Sequence, residues 1–527
     1  MSNRAPGWLR AALVLTTFTL TAFGLATVPS TAAAVTEPSA IKPLPPDLEE
    51  IRRAEATALY GSPEIRPIGQ RRTAITTLGD SEISGEGAGN YEPGTHGPDN
   101  WCDRSRDAAV HRTGIPVDLT LNLACSGARS DHLVYGSGQR QYNELNQGDN
   151  LAIKARNTRL KLVWVVVSAN DHDGVEFGPV VTDCVQRRVF FRGNCWPDYT
   201  NGWQERVTNS RAGAERVIRG IRQTMRDAGY TDTDYELVLM SYPSPASPDV
   251  EDNPDFPGWY RGGCLAYLKD AAFARNKAVP LFAQAIRQAA ENTGVRYLDA
   301  SRLFDGHEIC TDNTWARGLH IENGNILDPN AVRQSFHPNF RGHGAFAECM
   351  AAFHNRPQWP QATCFDPAST GSTVLTEGLL EFRQLRNPAT GLCADGEGYN
   401  SRNHTKLLSW DCHGGRNQAF WYDAQRQSVH VELSHDRCID VPNQNFAPGQ
   451  RVQLWNCNGT AAQRWLVNGG QLRPAASPQL CLTANAGRGS GVVLTPCEGG
   501  TTQRWAWETR PRLSGYGYND WIPSRAY

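Results

Sequence analysis

Apolar residues in the first part of the chain form short runs that alternate with longer stretches of helical spacing. The runs with the length of buried strands are residues 74–78, 119–124, 160–167, 235–240 and 295–298. Helical spacing occupies residues 210–228, 265–291 and 340–353. Short apolar strands that alternate with helices are typical of an α/β domain with a mainly parallel sheet. We therefore predict such a sheet with helices on both faces.

The pattern changes after Cys364, where helical spacing stops and a threefold repeat of about forty residues begins. The tripeptide Gln-Ala-Phe at 418–420 and the tripeptides Gln-Arg-Trp at 463–465 and 503–505 each begin six residues after a cysteine. Each of those cysteines has an upstream cysteine at a similar interval. A fixed period of this length indicates three similar lobes, each built from one copy of the repeat.

These changes of pattern divide the chain into six predicted segments. They are an export signal at 1–34, a Pro-rich lead-in with a helix at 35–72, the α/β domain at 73–365, a linker at 366–378, the threefold domain at 379–508 and a tail at 509–527. The export signal has an apolar stretch at 11–28 after basic residues, followed by three alanines at 32–34. An uncleaved membrane anchor is the alternative, but Gly24 and Pro29 interrupt the apolar run. We expect a secreted, extracellular protein without a stable membrane anchor.

Fourteen cysteines are spread through both large regions. In an exported chain an even number of cysteines indicates disulfides before it indicates metal ligands. We predict pairing in sequence order, although the sequence alone does not fix the connectivity. The predicted pairs are Cys102 with Cys125, Cys184 with Cys195, Cys264 with Cys310, Cys349 with Cys364, Cys393 with Cys412, Cys438 with Cys457, and Cys481 with Cys497.

The charge balance narrows the class of partners. The formal net charge is -2 and there is no run of lysine or arginine, so a general electrostatic attraction to nucleic acid or to an anionic membrane is not expected. Asp171, His172 and Asp173 could suggest a metal site, but three consecutive loop residues rarely point at one ion. We predict a solvated loop there, with no metal and no cofactor, in a monomeric protein.

A candidate nucleophile follows the first predicted strand. Residues 74–81 run from a buried-strand pattern into Gly-Asp-Ser, which places Ser81 at the carboxyl end of that strand, where open α/β sheets bind their ligands. A serine needs a base, and the oxyanion formed by its attack needs hydrogen-bond donors. Gly127 and Asn170 follow later strands as possible donors, and His337 precedes the last helix as a possible base.

Taken in order, these four residues resemble the blocks that name the SGNH (GDSL-type) serine esterase and lipase family, in its actinobacterial secreted form. The resemblance covers about residues 73–365 and implies a flavodoxin-like α/β fold. It also implies that Ser81 is the nucleophile and His337 the base and then the acid. The implied oxyanion donors are the main-chain N-H groups of Ser81 and Gly127 and the side-chain amide of Asn170.

Two positions depart from the family pattern. Ser168 stands where the family has a glycine two residues before the oxyanion asparagine, and Gln334 stands where the family has an aspartate three residues before His337. An amide cannot supply the charge that stabilises an imidazolium. We therefore predict a Ser-His dyad whose imidazole is oriented by the main-chain carbonyl or the amide oxygen of Gln334, with Asp328 as an acid only if its loop folds back.

The threefold cysteine and Gln-x-Trp pattern resembles the ricin-B lectin family, which implies a β-trefoil. A sugar pocket needs a carboxylate, an aromatic face and an amide. In the first two lobes the resemblance implies a carbohydrate-binding set, whereas Thr483 and Thr495 replace the acid and the aromatic residue in the third lobe, which we expect to be silent. Gln418 and Gln463 also build the core. The set is Asp395, Trp410, Asn417, Gln418, Asp440, Gln453, Trp455 and Gln463.

The sequence leads us to expect a secreted serine carboxylic ester hydrolase held on glycan by its lectin domain, with acylated polysaccharide or lipid as the ester substrate. Deacetylation of polysaccharide is the leading hypothesis, and hydrolysis of lipid or phospholipid esters at the same site is its closest rival. A hypothesis of another class is a glycan-binding lectin with a silent hydrolase-like domain, suggested by Gln334 and Ser168.

Overall fold

The computed structural model describes residues 41–248, 266–322, 330 and 332–509. The predicted export signal, Cys264, Asp328 and nearly all of the predicted tail lie outside the described residues. Within the described ranges, no helix combines the length and the apolar character needed to cross a bilayer.

The first region folds around a seven-stranded sheet with the order β2-β1-β3-β4-β5-β6-β7. All neighbouring strands from β2 to β6 are parallel, and only β7 runs antiparallel to its neighbour. The predicted α/β class is confirmed, and all five predicted strands form. The strands are β1 Thr73–Gly79, β2 Leu119–Asn122, β3 Arg159–Val166, β4 Glu236–Met240, β5 Arg296–Asp299, β6 Gln361–Phe365 and β7 Val374–Glu377.

Ten α-helices are described in this region. The longer helices other than α5 bury an apolar side, as Val207, Ala214 and Ile218 of α7 do, whereas no residue of α5 is fully buried. The helices are α1 Pro46–Tyr60, α2 Ser81–Ser84, α3 Ala109–Arg112, α4 Gln147–Asn157, α5 Phe177–Val189, α6 Trp196–Thr200, α7 Trp203–Asp227, α8 Leu268–Phe273, α9 Val279–Thr293 and α10 Phe340–His354.

The helix predicted over 265–291 is interrupted. A π-helical turn, Ala274–Ala278, separates α8 from α9, and Pro280 stands in the first turn of α9. Proline has no N-H to donate to the preceding turn, which favours a break at this point. Wide turns of this kind often occur near functional sites.

The segment predicted as a linker, residues 366–378, is not only a connection. Its strand β7 pairs with β6 and completes the sheet of the hydrolase-like region. The prediction was wrong here because β7 is short and only half-buried, so its apolar pattern is weak. The other domain limits stay predictions.

The second region consists of twelve strands in the described residues and has its own apolar core. Eight strands form one sheet that closes through the β8–β11 pairing, and two hairpins complete the lobes. The strands are β8 Arg383–Arg386, β9 Cys393–Gly396, β10 Thr405–Trp410, β11 Ala419–Asp423, β12 Ser428–Val431, β13 Ser434–Asp440, β14 Gln453–Asn456, β15 Trp465–Asn468, β16 Gln471–Pro474, β17 Leu480–Thr483, β18 Val493–Pro496 and β19 Ala506–Glu508.

Charged side chains join the two regions. Arg275, in the π-helical turn, donates to the carbonyl oxygen of Leu433 at 3.4 Å, and Arg302 pairs with Glu432 at 3.0 Å. Arg416 donates to the carbonyl oxygen of Glu432 at 3.0 Å and to the side chain of Asn276. Partial burial of this contact lowers the pKa of the Arg416 guanidinium to about 9.

Candidate active site and glycan sites

Strand β1 brings Ser81 to the edge of the sheet through a turn that only glycine fits. Gly79 has a φ of +149°, and a Cβ there would lie 1.9 Å from the carbonyl oxygen of Val166. The chain then enters α2, whose N-cap is Asp80, with the Asp80 side chain accepting from the N-H of Glu82. Ser81 is thereby fixed on the first residue of a helix, at the carboxyl end of a buried strand.

His337 meets Ser81 directly. The Nε2 atom of His337 lies 2.8 Å from Ser81 Oγ, which is hydrogen-bond distance. His337 enters from the loop before α10, and Phe336 has a φ of +65°, a strained conformation for a residue with a bulky side chain. The loop after Ser81 approaches the histidine so closely that a Cβ on Gly87 would lie 3.2 Å from His337 Cβ.

The predicted orienting role of Gln334 is not seen. The amide oxygen of Gln334 accepts from the guanidinium of Arg317, and the buried Nδ1 of His337 has no hydrogen-bond partner among the described residues. A guanidinium competes well for the amide oxygen because charge-assisted hydrogen bonds are the stronger ones. The ring of Phe177 packs edge-on against His337, with the ring centres 5.7 Å apart.

Sequence reasoning missed a carboxylate beside the dyad. Glu86 is buried, and its Oε2 lies 3.7 Å from His337 Nε2. The same side chain accepts from Ser126 Oγ and pairs with Arg333 at 3.0 Å. Arg333 also pairs with Asp103 at 3.1 Å. In the sequence, Glu86 stands between two glycines five residues after the nucleophile. Its partner Arg333 is far away in the chain, so no further signal for this carboxylate was present in the sequence.

The predicted oxyanion donors lie on the same cleft as the dyad. Ser81, Gly127, Asn170 and His337 all line one cavity of about 460 Å³. One N-H of the Asn170 amide donates to the carbonyl oxygen of Ala128 at 3.3 Å, which leaves its second N-H for a ligand.

Two further residues hold the donor loops in place. Asp171 accepts from the N-H of Ser130 at 2.7 Å and from Ser130 Oγ at 2.6 Å, so the loop after Gly127 is tied to the loop of Asn170. Ser168 has a φ of +90°, which explains why a glycine suits this position. Its Oγ lies 3.0 Å from Ser130 Oγ, so the serine gains a contact that a glycine lacks.

A second cavity opens beside Ser81 and is almost entirely apolar. It shares Ser81, Phe177, Val181, Val185 and Phe336 with the catalytic cleft, so the two spaces meet at the nucleophile. We call this second space the apolar cavity. Its further wall includes Val175, Trp203, Phe273, Ala274, Ala278 and Phe282.

In the first trefoil lobe the predicted carboxylate and amide come together. Asp395 accepts from Gln418 Nε2 at 2.7 Å and lies 3.2 Å from His413 Nε2. Asn417 is buried and donates to the carbonyl oxygen of Gly396 at 3.0 Å. His413 was not predicted as a binding residue. It directly follows Cys412 in the sequence, and only the fold brings it next to the Asp395 carboxylate.

The predicted aromatic residue of this lobe is partly covered. The guanidinium of Arg488, from the third lobe, lies 4.4 Å from the centre of the Trp410 ring and pairs with Asp411 at 3.1 Å. One face of Trp410 is therefore occupied by a cation.

The second lobe has more of the predicted carbohydrate-binding residues in place than the third lobe. Asp440 accepts from Gln453 Nε2 at 2.8 Å and from Gln463 Nε2 at 3.2 Å, and the ring of His404 meets Trp455 edge-on. In the third lobe Thr483 and Thr495 bond to each other instead, at 2.7 Å.

The glutamine of each repeat secures the loop that follows the disulfide. Gln418, Gln463 and Gln503 each accept from a main-chain N-H five residues upstream and donate to a main-chain carbonyl oxygen seven residues upstream. The glutamines therefore build the fold in all three lobes, whether or not a lobe binds sugar. The disulfides of the lobes form as predicted, and so do those of the first region, except that Cys264 lies outside the described residues.

Comparison with known families decides how this site is classified. Residues 77–345 match the GDSL-like lipase/acylhydrolase family. The chain belongs to the GDSL-like lipase/acylhydrolase family. It is an ester hydrolase of that family, and it also carries a ricin-type β-trefoil lectin domain, matched at 381–455 and 429–515.

Known relatives of this GDSL-family protein match one region or the other. A lipase of Streptomyces rimosus is 25% identical over 303 residues, which are 54% of this chain and 94% of the relative. The crystal structure of phospholipase A1 from Streptomyces albidoflavus is 23% identical and covers 53% of this chain and 99% of its own, with a TM-score of 0.35. The C-terminal half of an earthworm R-type lectin, in complex with GalNAc, is 20% identical and covers 25% of this chain and 99% of its own, with a TM-score of 0.22.

The buried carboxyl of Asp80 predicts a pH-dependent stability. Burial raises its pKa to about 7, although Tyr242 donates to it at 2.6 Å. Its ordinary pKa is about 3.9, so between about pH 4 and pH 7 the folded chain holds a proton that the unfolded chain releases. The free energy of unfolding therefore falls as the pH rises through this window. Asp80→Asn removes this loss, which amounts to at most about 4 kcal/mol.

Urea unfolding of both proteins across this pH window measures the difference. The variant should gain stability relative to the natural chain as the pH rises. The exposed variant Asp232→Asn is the matched control and should follow the natural chain. Parallel pH curves for Asp80→Asn and the natural chain would contradict the burial argument.

Proposed function

We propose that this ester hydrolase acts outside the cell on fatty acyl esters, through a dyad of Ser81 and His337, and that its trefoil holds it on a glycan-bearing surface. The observation that carries the proposal is that Ser81, which is hydrogen-bonded to His337, also lines the apolar cavity. The first of these features supplies the chemistry, and the second supplies the preference for substrate.

In the first half of the reaction, Ser81 Oγ attacks the ester carbonyl carbon while His337 Nε2 takes its proton. The carbonyl oxygen becomes an oxyanion, which the N-H groups of Ser81 and Gly127 and the Asn170 amide stabilise. His337 then gives its proton to the leaving alcohol, and the acyl group remains on Ser81. In the second half, water attacks this acyl-enzyme with His337 again as base, and Ser81 is released.

The Glu86 carboxylate takes part of the role of a triad acid, for which the described residues place no carboxylate at His337 Nδ1. It faces the same nitrogen that receives the proton, at 3.7 Å, so it favours the imidazolium that forms during attack. Arg333 and Ser126 hold Glu86 in place, and packing against Phe177 holds the ring. These contacts orient the imidazole from the side of Nε2, whereas the described residues offer no hydrogen bond to Nδ1.

The apolar cavity favours long acyl chains over acetyl groups. An acetyl ester would leave the wall formed by Trp203, Phe273 and Phe282 unfilled, whereas a longer chain would bury its methylenes there. Each buried methylene contributes about 0.8 kcal/mol, or about a fourfold gain in rate. The cavity therefore supports lipid esters over acetylated polysaccharide as the substrate.

The trefoil supports glycan attachment through its first two lobes. Asp395 and Asp440 each receive a hydrogen bond from an amide and lie in lobes that also carry a tryptophan. Two weak sites on one domain increase retention on a polymer or a glycolipid surface, since the second contact forms without new loss of translational freedom.

Chain-length dependence tests the proposed substrate class. Nitrophenyl acetate, butyrate and octanoate are compared with acetylated xylan, using the full chain and its Ser81→Ala variant. We expect kcat/KM to rise from acetate to octanoate by about fourfold per methylene until the cavity is filled, and all activity to be lost without Ser81.

The surface variant Glu50→Gln is the control and should behave as the natural chain does. Highest activity on acetylated xylan would restore the deacetylase hypothesis. Glycan binding without any activity that depends on Ser81 would favour the silent-hydrolase hypothesis.

Removal of the Glu86 charge tests its part in the mechanism. Glu86→Gln keeps an oxygen for Ser126 but removes the carboxylate from the side of His337 that takes the proton. We expect kcat to fall at least about tenfold with little change in KM, because the lost interaction forms only in the transition state. Steady-state kinetics on the octanoate ester measure both constants. The control is a variant outside the cleft whose melting temperature falls by the same amount as that of Glu86→Gln. If kcat falls equally in both variants, the loss comes from lower stability and contradicts this role.

Glycan binding should depend on the first two lobes alone. Asp395→Asn and Asp440→Asn each remove one carboxylate, and we expect the double variant to lose retention on galactose- and xylan-bearing resins. The third-lobe variant Thr483→Val is the matched control and should be retained. Hydrolysis of soluble esters should stay the same in all four variants, and unchanged retention of the double variant would place the sugar contacts elsewhere.

A further inference from the structure

One carboxyl group in the apolar cavity is not used by the mechanism. Glu82 directly follows Ser81 on α2, is buried, and lines the cavity together with apolar side chains. Its Cα lies about 3.8 Å from that of the nucleophile, as for any consecutive residues. Because both residues line the apolar cavity, a polar group bound by Glu82 would lie in the space that opens at the nucleophile.

Glu82 differs from the other acids on the cavity wall because its carboxyl has no hydrogen-bond partner among the described residues. Asp80 accepts from the N-H of Glu82 and from the hydroxyl of Tyr242. Asp270 accepts from the N-H groups of Cys195 and Trp196. Asp80 and Asp270 are thus satisfied by the fold, whereas Glu82 is buried beside the nucleophile with its polar atoms unused.

The protonation of Glu82 determines what it can bind. Burial, together with the neighbouring Asp80, raises the pKa of the Glu82 carboxyl well above its usual value, which favours its neutral form. A neutral carboxyl both donates and accepts a hydrogen bond. A ligand that brings a matching polar group into the cavity would gain one net hydrogen bond there, worth about three- to tenfold in affinity.

We propose that Glu82 binds a hydroxyl group carried by the acyl chain, so that hydroxyacyl esters are the preferred class of substrate. The inference rests on the proposed function, since it assigns the apolar cavity to the acyl chain. A hydroxyl fits because it can accept from and donate to the same carboxyl while the remaining chain contacts apolar walls. An ammonium group fits less well, since it would bring a charge into an apolar space and require Glu82 to ionise there.

Paired substrates test the proposal. The full-length protein is given nitrophenyl esters of one chain length that are unsubstituted or carry a hydroxyl on one carbon, with the position varied along the chain. We expect the best hydroxylated ester to have a kcat/KM about three- to tenfold above that of its unsubstituted partner, as one net hydrogen bond provides. Glu82→Gln keeps a donor and an acceptor and should retain the preference. Glu82→Leu should abolish it, so that the ratio of the two rates falls to about one.

Three outcomes would overturn the proposal. The first is an equal ratio of the two rates in the natural chain, with both rates dependent on Ser81; the proposed function would then stand without this inference. The second is a preference that survives in Glu82→Leu, or a preference for aminoacyl over hydroxyacyl esters. The third is the absence of any hydrolysis that depends on Ser81, which would remove the proposed function as well. The exposed variant Glu205→Gln is the matched control and should keep the natural ratio.

A binding measurement separates recognition from turnover. Titration calorimetry of Ser81→Ala with the free hydroxy acid and with the unsubstituted acid should show the same three- to tenfold difference in affinity, at about the value expected for one hydrogen bond. Adding Glu82→Leu to this variant should remove the difference. A difference in affinity that persists without the Glu82 carboxyl would overturn the proposal. This test does not depend on turnover, because both proteins carry Ser81→Ala.

Discussion

The hydrogen bond of 2.8 Å between Ser81 and His337 joins two segments that are 256 residues apart in the chain. Much of the surrounding structure serves this one contact. Gly79 lets β1 pass against Val166 before the nucleophile, and Gly87 lets the following loop pass against His337. Phe336 adopts a strained backbone conformation on the histidine side. Such strain persists only where the surrounding contacts impose it, which is common at active sites.

The acidic residues around the nucleophile lie in two different environments. Glu86 lies among Arg333 and Ser126, so its negative charge is held in a polar setting beside His337. Asp80 and Glu82 lie on the apolar side of Ser81, where burial raises the pKa of both carboxyl groups. One side of the nucleophile therefore stabilises charge, while the other excludes it. This division matches a reaction in which charge develops at the carbonyl oxygen and the imidazole, but not along the acyl chain.

Long apolar runs and a regular repeat made the fold predictable. The strands around Ile75 and Trp164 are buried on both faces, so their runs are continuous, and the cysteine period revealed the three lobes. Strand β7 was missed because it is short and half-buried at the sheet edge.

The candidate site was predictable only where a motif fixes position. Ser81 and His337 stand in such motifs, and the structure brings them together. Gln334 was assigned to His337 because it is close in sequence, but Arg317 binds its amide oxygen. Glu86 and Glu82 escaped notice because their importance comes from burial and from distances across loops. A pattern of residue types along the chain contains neither quantity.

The contacts between the two regions mean that removing the trefoil would also affect the hydrolase region. Asn276, which binds Arg416 of the trefoil, belongs to the same π-helical turn as Ala274 and Ala278, whose other side faces the apolar cavity. A chain cut before the trefoil would also leave Arg302 without Glu432. The trefoil thus supports the wall of the apolar cavity from outside. A hydrolase region expressed alone would therefore lose contacts that support this wall, and not only its lectin domain.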